Sequence, residues 1–412
     1  MRRLRWWLLA GLLAALAAAL FWRGGPAVAD ASWLVVDLEG EYVEADLSPL
    51  QRIFGRRART LASQLSELAK AERDPRLAGV LFRVRSLDVG WGKAQDLRAA
   101  VLRLREKGKR TVSYLELEKY GANVEYYVAS AADAVYVAPA TRTPLVGLAA
   151  EHLFLGGLFE KLGEQLEYER VGKYKSAVEG LAEHEMSEAN REMSEAILDS
   201  IHSQFLGDIA ASRGLAAEAV AAAIDRAPTS PRELEGEKLI DGTAFFDEIV
   251  EKEGGPTIVE DEKYAQVDAS EVGFSPQATF ALIYGAGSVV VGEGSSGRGG
   301  GPVMASTTIA EAFEKAAESP EVRAIVFRID SPGGSALASD LIWRAVRKAR
   351  AKGKPVVASF SDVAASGGYY VAAGADKVVA QPGTITGSIG VFVIRPMIVP
   401  GCATTLSAPA AT

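Results

Sequence analysis

The chain contains the same unit twice, and an internal repeat limits the possible folds more than any other feature of a sequence. "AGVLFRVRS" (78–86) matches "RAIVFRIDS" (323–331). "EKGKRTVSY" (106–114) matches "AKGKPVVAS" (351–359), and "YYVASAADAVYVAPATRTPLVGL" (126–148) matches "YYVAAGADKVVAQPGTITGSIGV" (369–391). The opening stretches also correspond, "WLVVDLEGEYV" (33–43) with "FALIYGAGSVV" (280–290). Within each unit, short β-branched runs alternate with helical stretches. Val80–Val84 and Ile325–Ile329 read as buried strands, and Asp96–Lys107 and Asp340–Lys352 as amphipathic helices. Each helix closes on Lys-Gly-Lys, where the glycine suits the left-handed residue after a helix end. Strands alternating with helices predict α/β layers with parallel pairing. Residues 155–255, between the copies, read as mostly helical, with Ile197, Ile201, Phe205 and Ile209 at helical spacing. "GEGSSGRGGGP" (292–302) reads as a surface loop or as a mobile loop bordering a site.

Composition is that of a globular protein: 412 residues, 48% hydrophobic, 24% charged, net charge −8. That balance offers no basic surface for nucleic acid. The single cysteine, Cys402, excludes an intrachain disulfide. The N-terminus stands apart. "MRRLRWWLLAGLLAALAAALFWR" carries three arginines, then an apolar run from Trp6 to Trp22. Its length is at the short limit of a membrane span. The arginines predict a cytoplasmic start, with the body outside. "AVA" (27–29) resembles a signal-peptidase site, but the long apolar run favours an uncleaved signal anchor.

Duplicated units share a scaffold, so their differences point to function. The second copy has "DSPGGS" (330–335), where the first has "RSLDVGWG" (85–92). The second has "AASGGYY" (364–370), where "YGANVEYY" (120–127) puts Asn123 opposite Ser366. A tight turn of small residues accounts for either motif alone. Together they suggest a serine beside backbone N–H groups able to stabilise an oxyanion. Ser366 then needs a base. His152, His184 and His202 all belong to the first copy or its insert, and none is flanked as a catalytic histidine. "HEMSE" (184–188) lacks the second histidine of a zinc motif. A lysine can serve if burial leaves its amine neutral, and "ERVGKYKSAVEG" (169–180) holds a candidate, Lys175.

"SPGGS", "ASGGYY", "TGSIGV" and "VGKYKSAVE" together resemble motifs of the signal peptide peptidase A family, tandem type. These are membrane-anchored serine proteases related in fold to the Clp protease and crotonase families. The resemblance runs from the N-terminal anchor to about Pro396. It implies a Clp/crotonase-like α/β fold in two tandem copies with a helical insert and an N-terminal transmembrane helix. It implies Ser366 as nucleophile, Lys175 as general base, oxyanion N–H groups around Gly333 and Gly334, and Ser388 as the serine assisting the lysine. It requires no cofactor. It further implies signal peptides as substrates, a homo-oligomer (a tetramer by resemblance), and a catalytic body on the periplasmic side of the inner membrane. The repeat supports a split dyad. Lys175 lies 52 residues after Asn123, and 52 residues past Ser366 lies beyond residue 412. The base therefore comes from a first-copy unit, of the same or a neighbouring protomer.

The expected division is an anchor (1–29), a first repeat with insert (30–275), a second, incomplete repeat (276–395) and an atypical tail (396–412). The tail, "MIVPGCATTLSAPAAT" from Met397, does not resemble the family and reads as the mark of a truncated or frameshifted chain. Two other readings stand beside the peptidase: an inactive membrane-tethered homologue, and an acyl-CoA enzyme of the crotonase type.

Overall fold

The structure is a computed structural model and describes residues 28–45, 59–117, 119, 121–142, 145–294 and 301–398. The expected anchor lies outside this range but for Val28 and Ala29, as do the tip of the glycine-rich loop, Cys402 and the tail from residue 399. Among the described residues, no helix is long and apolar enough to cross a membrane.

The first copy runs β1 (Ser32–Val43), α1 (Leu61–Arg73), β2 (Leu77–Asp88), α2 (Trp91–Glu106), β3 (Arg110–Leu115), α3 (Asn123–Ala129) and β4 (Ala134–Val137). The strands are apolar on both faces because both are covered. In β1, Leu34, Val36 and Leu38 join the larger core, while Trp33 and Val35 join a second core on the opposite face. The expected strand lies within β2. The helix expected from Asp96 starts at Trp91 and ends one residue before Lys107. Gly108 after it has φ +78°, the left-handed position anticipated from Lys-Gly-Lys. The second lysine of that triplet also has a task. Lys109 Nζ donates to the carbonyls of Asp74 and Leu77, and Lys354 Nζ to those of Ser319 and Val322. Each copy thus ties its helix end to the turn before its central strand.

The segment between the copies contains α4 (Gly156–Lys161), β5 (Glu164–Arg170), the long α5 (Glu188–Arg213), β6 (Gly242–Thr243), α6 (Phe246–Lys252) and β7 (Ile258–Glu260). Ser187 caps α5 by accepting the Asn190 N–H, and left-handed Gly214 closes it. Strands β5 and β6 interrupt the stretch expected to be mostly helical, and β7 follows it. β6 and β7 extend the first sheet, in which every pairing is parallel: the two-residue strand Arg59–Thr60, then β1, β2, β3, β4 and β6, with β7 also on β1.

The second copy runs β8 (Thr279–Ala286), β9 (Ser288–Val290), β10 (Val303–Ala305), α7 (Ser306–Glu318), β11 (Val322–Ser331), α8 (Ala336–Ala351), β12 (Val356–Ala365), α9 (Gly367–Ala372), β13 (Lys377–Val379), β14 (Ile385–Gly387) and β15 (Phe392–Ile398). Its sheet order is β13-β12-β11-β8, with β14 on the far end of β12, again all parallel. Phe313 of α7 and Phe327 of β11 pack edge to face at 5.1 Å in its core. The opening strand expected over 280–290 is broken at Gly287, whose φ is +78°.

Two contacts join the copies near the site. β15 runs antiparallel to β5, from Phe392 opposite Arg170 to Ile398 opposite Glu164. The start of α2 packs on β12, and glycines make this approach possible. A Cβ on Gly92 would stand 2.5 Å from the Ser361 carbonyl oxygen, and one on Gly90 2.6 Å from the Asp362 side chain.

Candidate active site

Ser366 is the residue between β12 and α9, the N-cap of that helix. Its backbone is at φ +53°, ψ −114°, a conformation that costs a non-glycine residue about 1–3 kcal/mol. Ser388 has φ +47°, so two of the five described non-glycine residues with positive φ lie in this site. Such strain persists only where neighbours over-determine it. Here the Ser366 N–H donates to the Gly387 carbonyl at 2.9 Å, and the Tyr370 N–H donates to the Ser366 carbonyl at 2.9 Å.

The chain reaches Lys175 from β5 through a loop turned at left-handed Gly172. Behind that loop lies a buried polar cluster. Glu179, fully buried, accepts from Arg170, from Ser187 Oγ at 2.8 Å and from Asn190 Nδ2 at 3.0 Å. Burial alone would raise its carboxyl, but these donors outweigh it and hold the group below the usual carboxylate range. Arg170 also donates to the Lys175 carbonyl at 3.3 Å. The lysine backbone is therefore anchored while its side chain points the other way.

Lys175 is 3% exposed. Its Nζ lies 3.0 Å from Ser366 Oγ, 2.9 Å from Ser388 Oγ and 2.5 Å from the Ser388 carbonyl oxygen, with the Phe392 ring centroid 6.0 Å away. Burial pulls its pKa below the ordinary lysine value, and no carboxylate opposes that shift. A neutral amine has two N–H donors and one lone pair. Two partners on Ser388 and one on Ser366 fit that count, with the lone pair toward the Ser366 hydroxyl. The arrangement can take a proton from a serine. Both side chains belong to one chain, so a neighbouring protomer is not needed to complete the pair.

The glycines define the space beside Ser366. A Cβ on Gly333 would lie 2.7 Å from Ser366 Cβ and 2.6 Å from the Gly367 nitrogen, and its φ is +100°. Its own N–H, expected to serve as an oxyanion donor, donates instead to Ser331 Oγ at 3.1 Å. That serine hydroxyl in turn donates to the Gly287 carbonyl. Among the described residues, the Gly334 and Gly367 N–H groups have no partner. They are close neighbours, since a Cβ on Gly367 would stand 3.2 Å from the Gly334 nitrogen. Gly334, named from the sequence, and Gly367, not named from it, thus present unpartnered N–H groups beside Ser366, while Gly333 lets the loop approach. The signal was there: Gly367 follows the serine at a helix start, where first-turn N–H groups have no helical acceptor.

Asn123 occupies the matching place in the first copy, and its amide brackets Val146, donating to the carbonyl at 2.9 Å and accepting from the N–H at 3.2 Å. Where the second copy has a serine hydroxyl facing a lysine amine, the first has a structural tie. None of the three histidines hydrogen-bonds Ser366 or Lys175, and His184 is an exposed partner of Glu160. Among the described residues, no group of side chains could hold a metal ion.

The model of peptidase family S49 matches residues 103–254 and 348–398. The chain is 38% identical over 343 residues to the chloroplastic serine protease SPPA of Arabidopsis thaliana, covering 81% of this chain and 50% of that protein. It is 30% identical over 344 residues to Protease 4 of Salmonella typhi, covering 80% and 54%. It is 27% identical over 390 residues to Protease 4 of Haemophilus influenzae, covering 87% and 58%. The chain thus spans about half the length of these curated relatives. The repeat, the motifs that distinguish its copies and these matches lead to one conclusion: the chain belongs to peptidase family S49.

Proposed function

We propose that this chain is a serine endopeptidase that works by acyl transfer through a Ser366–Lys175 dyad. The observation that carries the reading is the 3.0 Å contact between a buried lysine amine, free of carboxylate partners, and a serine hydroxyl held at a helix N-terminus. Neutral Lys175 takes the Ser366 proton as Oγ bonds to a peptide carbonyl carbon. The Gly334 and Gly367 N–H groups hold the oxyanion, each donor contributing about 3–4 kcal/mol in comparable sites. As the C–N bond breaks, the Lys175 ammonium returns the proton to the leaving amine. Water, deprotonated by the same amine, releases the acyl group. Ser388 orients the amine through both its oxygens.

The substrate class we propose is an apolar peptide, cleaved signal peptides in particular. Val171, Tyr174, Ile389 and Val391, chain neighbours of the site residues, are exposed, and such a rim suits an apolar chain. The Clp/crotonase relationship, the uncleaved anchor, the periplasmic orientation and assembly into a homo-tetramer complete the proposal. They rest on the sequence motifs and on the charge of the N-terminus.

The test is covalent labelling with a fluorophosphonate. The wild-type chain should label at Ser366 and cleave an apolar peptide. Ser366→Ala and Lys175→Ala should do neither while keeping the wild-type circular dichroism. Labelling that persists in either variant would refute the dyad.

A further inference from the structure

The second copy's two site loops leave neighbouring strands at equivalent places. Gly334 follows Asp330 by four residues, and Ser366 follows Asp362 by four. Between these points the β11–β12 ladder is irregular. Ile329 pairs with Phe360 and Ser331 with Ala364, so Ser361, Asp362 and Val363 all oppose Asp330. A bulge of this kind re-aims the residues beyond it, and it leaves ladder groups to be satisfied by other means. The Asp330 side chain supplies one such partner, its Oδ1 accepting the Val363 N–H at 3.1 Å.

The residues that hold the bulge come from the first copy. Lys93 Nζ lies 2.8 Å from Asp330 Oδ2 and 3.4 Å from Asp362 Oδ2. Asp362 also accepts the Gly90 N–H at 3.0 Å and the Lys93 N–H at 2.8 Å. It thereby caps α2, whose own N-cap, Gly90, has no side chain to do so. Glu44, 3.8 Å from Lys93 Nζ, adds a third carboxylate and also bonds Arg328 and Ser361. Burial pulls the Lys93 ammonium down, but its carboxylates outweigh that, and it stays charged above the ordinary lysine value. Lys93 is nearly buried, 8% exposed. Removing one member of such a cluster leaves the others as uncompensated buried charge.

We propose that Lys93 is a positioning residue: by bridging Asp330 and Asp362 it fixes the loop of Gly333 and Gly334 against the loop of Ser366. The first copy's counterpart of the Pro-Gly-Gly turn, "VGWGK", has no oxyanion to hold and clamps the other copy's site. The proposal rests on the Ser366–Lys175 reading only where reactivity is concerned. The geometry it predicts can be measured without it.

The experiment compares wild type, K93M, K93R and D330N by hydrogen exchange and by fluorophosphonate labelling rate. In K93M, amides of 329–335 and 360–367 should exchange faster by about tenfold or more, while those of 342–349 in α8 stay protected. Labelling at Ser366 should slow by about 10- to 100-fold, as expected when a distant change misplaces reacting groups. K93R, which keeps a charge able to bridge two carboxylates, should recover most of both. D330N should reproduce the loosening, and adding it to K93M should cost little more, because both act through one contact. If K93M fails to fold, D330N and K93R carry the comparison. Exchange unchanged in both segments would overturn the proposal, as would loosening spread through the whole second copy or labelling that ignores the loosening. A wild-type chain that does not label would refute the peptidase reading and leave the exchange pattern to decide the clamp.

Discussion

Lys93 and Lys175 are both buried, and the groups around each amine set its chemistry. Lys93 faces three carboxylates and is held charged. Lys175 faces only serine oxygens and an aromatic ring, so burial acts on it unopposed. This gives a pH dependence with a definite sign. In the proposed dyad the reactive form of Lys175 is the neutral one, so Ser366 labelling should rise with pH through a pKa below the ordinary lysine value, then level off. Lys175→Arg, always charged, should slow labelling by about 10²–10⁴-fold. Stability obeys the same linkage. Between the depressed folded pKa and the ordinary unfolded one, the unfolded chain binds more protons, so stability rises with pH across that window. Below the folded pKa the burial penalty is fully present; above the unfolded pKa it is gone. Lys175→Met removes the penalty and should melt above wild type at neutral pH, the gap closing at alkaline pH. Melting curves that coincide at every pH would show that the amine carries no such penalty.

At the scale of elements, the contact of α2 with β12 is the joint on which the site depends, and glycine sets its distance. The obstacle a Cβ on Gly92 would meet is a backbone carbonyl, which cannot swing aside. Gly92→Ala should therefore destabilise by about 1–3 kcal/mol in denaturant titrations. Gly207, in the middle of α5 with nothing within 4 Å of its would-be Cβ, is the control. There alanine should stabilise by about 1 kcal/mol through helix propensity. Equal effects at the two positions would show that packing does not decide the difference. The same joint marks the limit of what the sequence made legible. Strand runs, helix runs and the left-handed Gly108 and Gly353 were readable because each depends on residues close in the chain. The start of α2 was misplaced by five residues, since its cap is Asp362 of the other copy. β5 was missed because its partner, β15, lies more than 200 residues away. Ser366, Lys175 and Ser388 were named from motifs, and the Lys175 amine lies within 3.0 Å of both serine hydroxyls. The Gly333 N–H is taken by the Ser331 hydroxyl two residues earlier, a local turn contact that the motif reading passed over.

At the scale of the molecule, the duplication lets each copy explain the other. Corresponding strands place Trp33 and Val35 where the second sheet has Phe280 and Leu282. In the first copy, α6 covers that face, with Ile249 and Phe246 packed on Trp33, Val35, Leu81 and Tyr114. Among the described residues no such helix covers the second sheet. Phe280 is 59% exposed and Leu282 46%. The opposite face is closed by α7 and α8, so the second copy folds around one core where the first has two. An exposed apolar patch of this kind promotes association and binds apolar dyes. Phe280→Ser with Leu282→Ser should lower both dye fluorescence and the concentration dependence of light scattering. It should leave Ser366 labelling as in wild type, because the patch lies off the site loops. Since these side chains touch little, the melting temperature should move only as for ordinary surface changes, about 0.5 kcal/mol in stability. If scattering and dye binding do not change, the face is covered in solution, and a melting temperature that falls steeply would show that its cover is part of the fold.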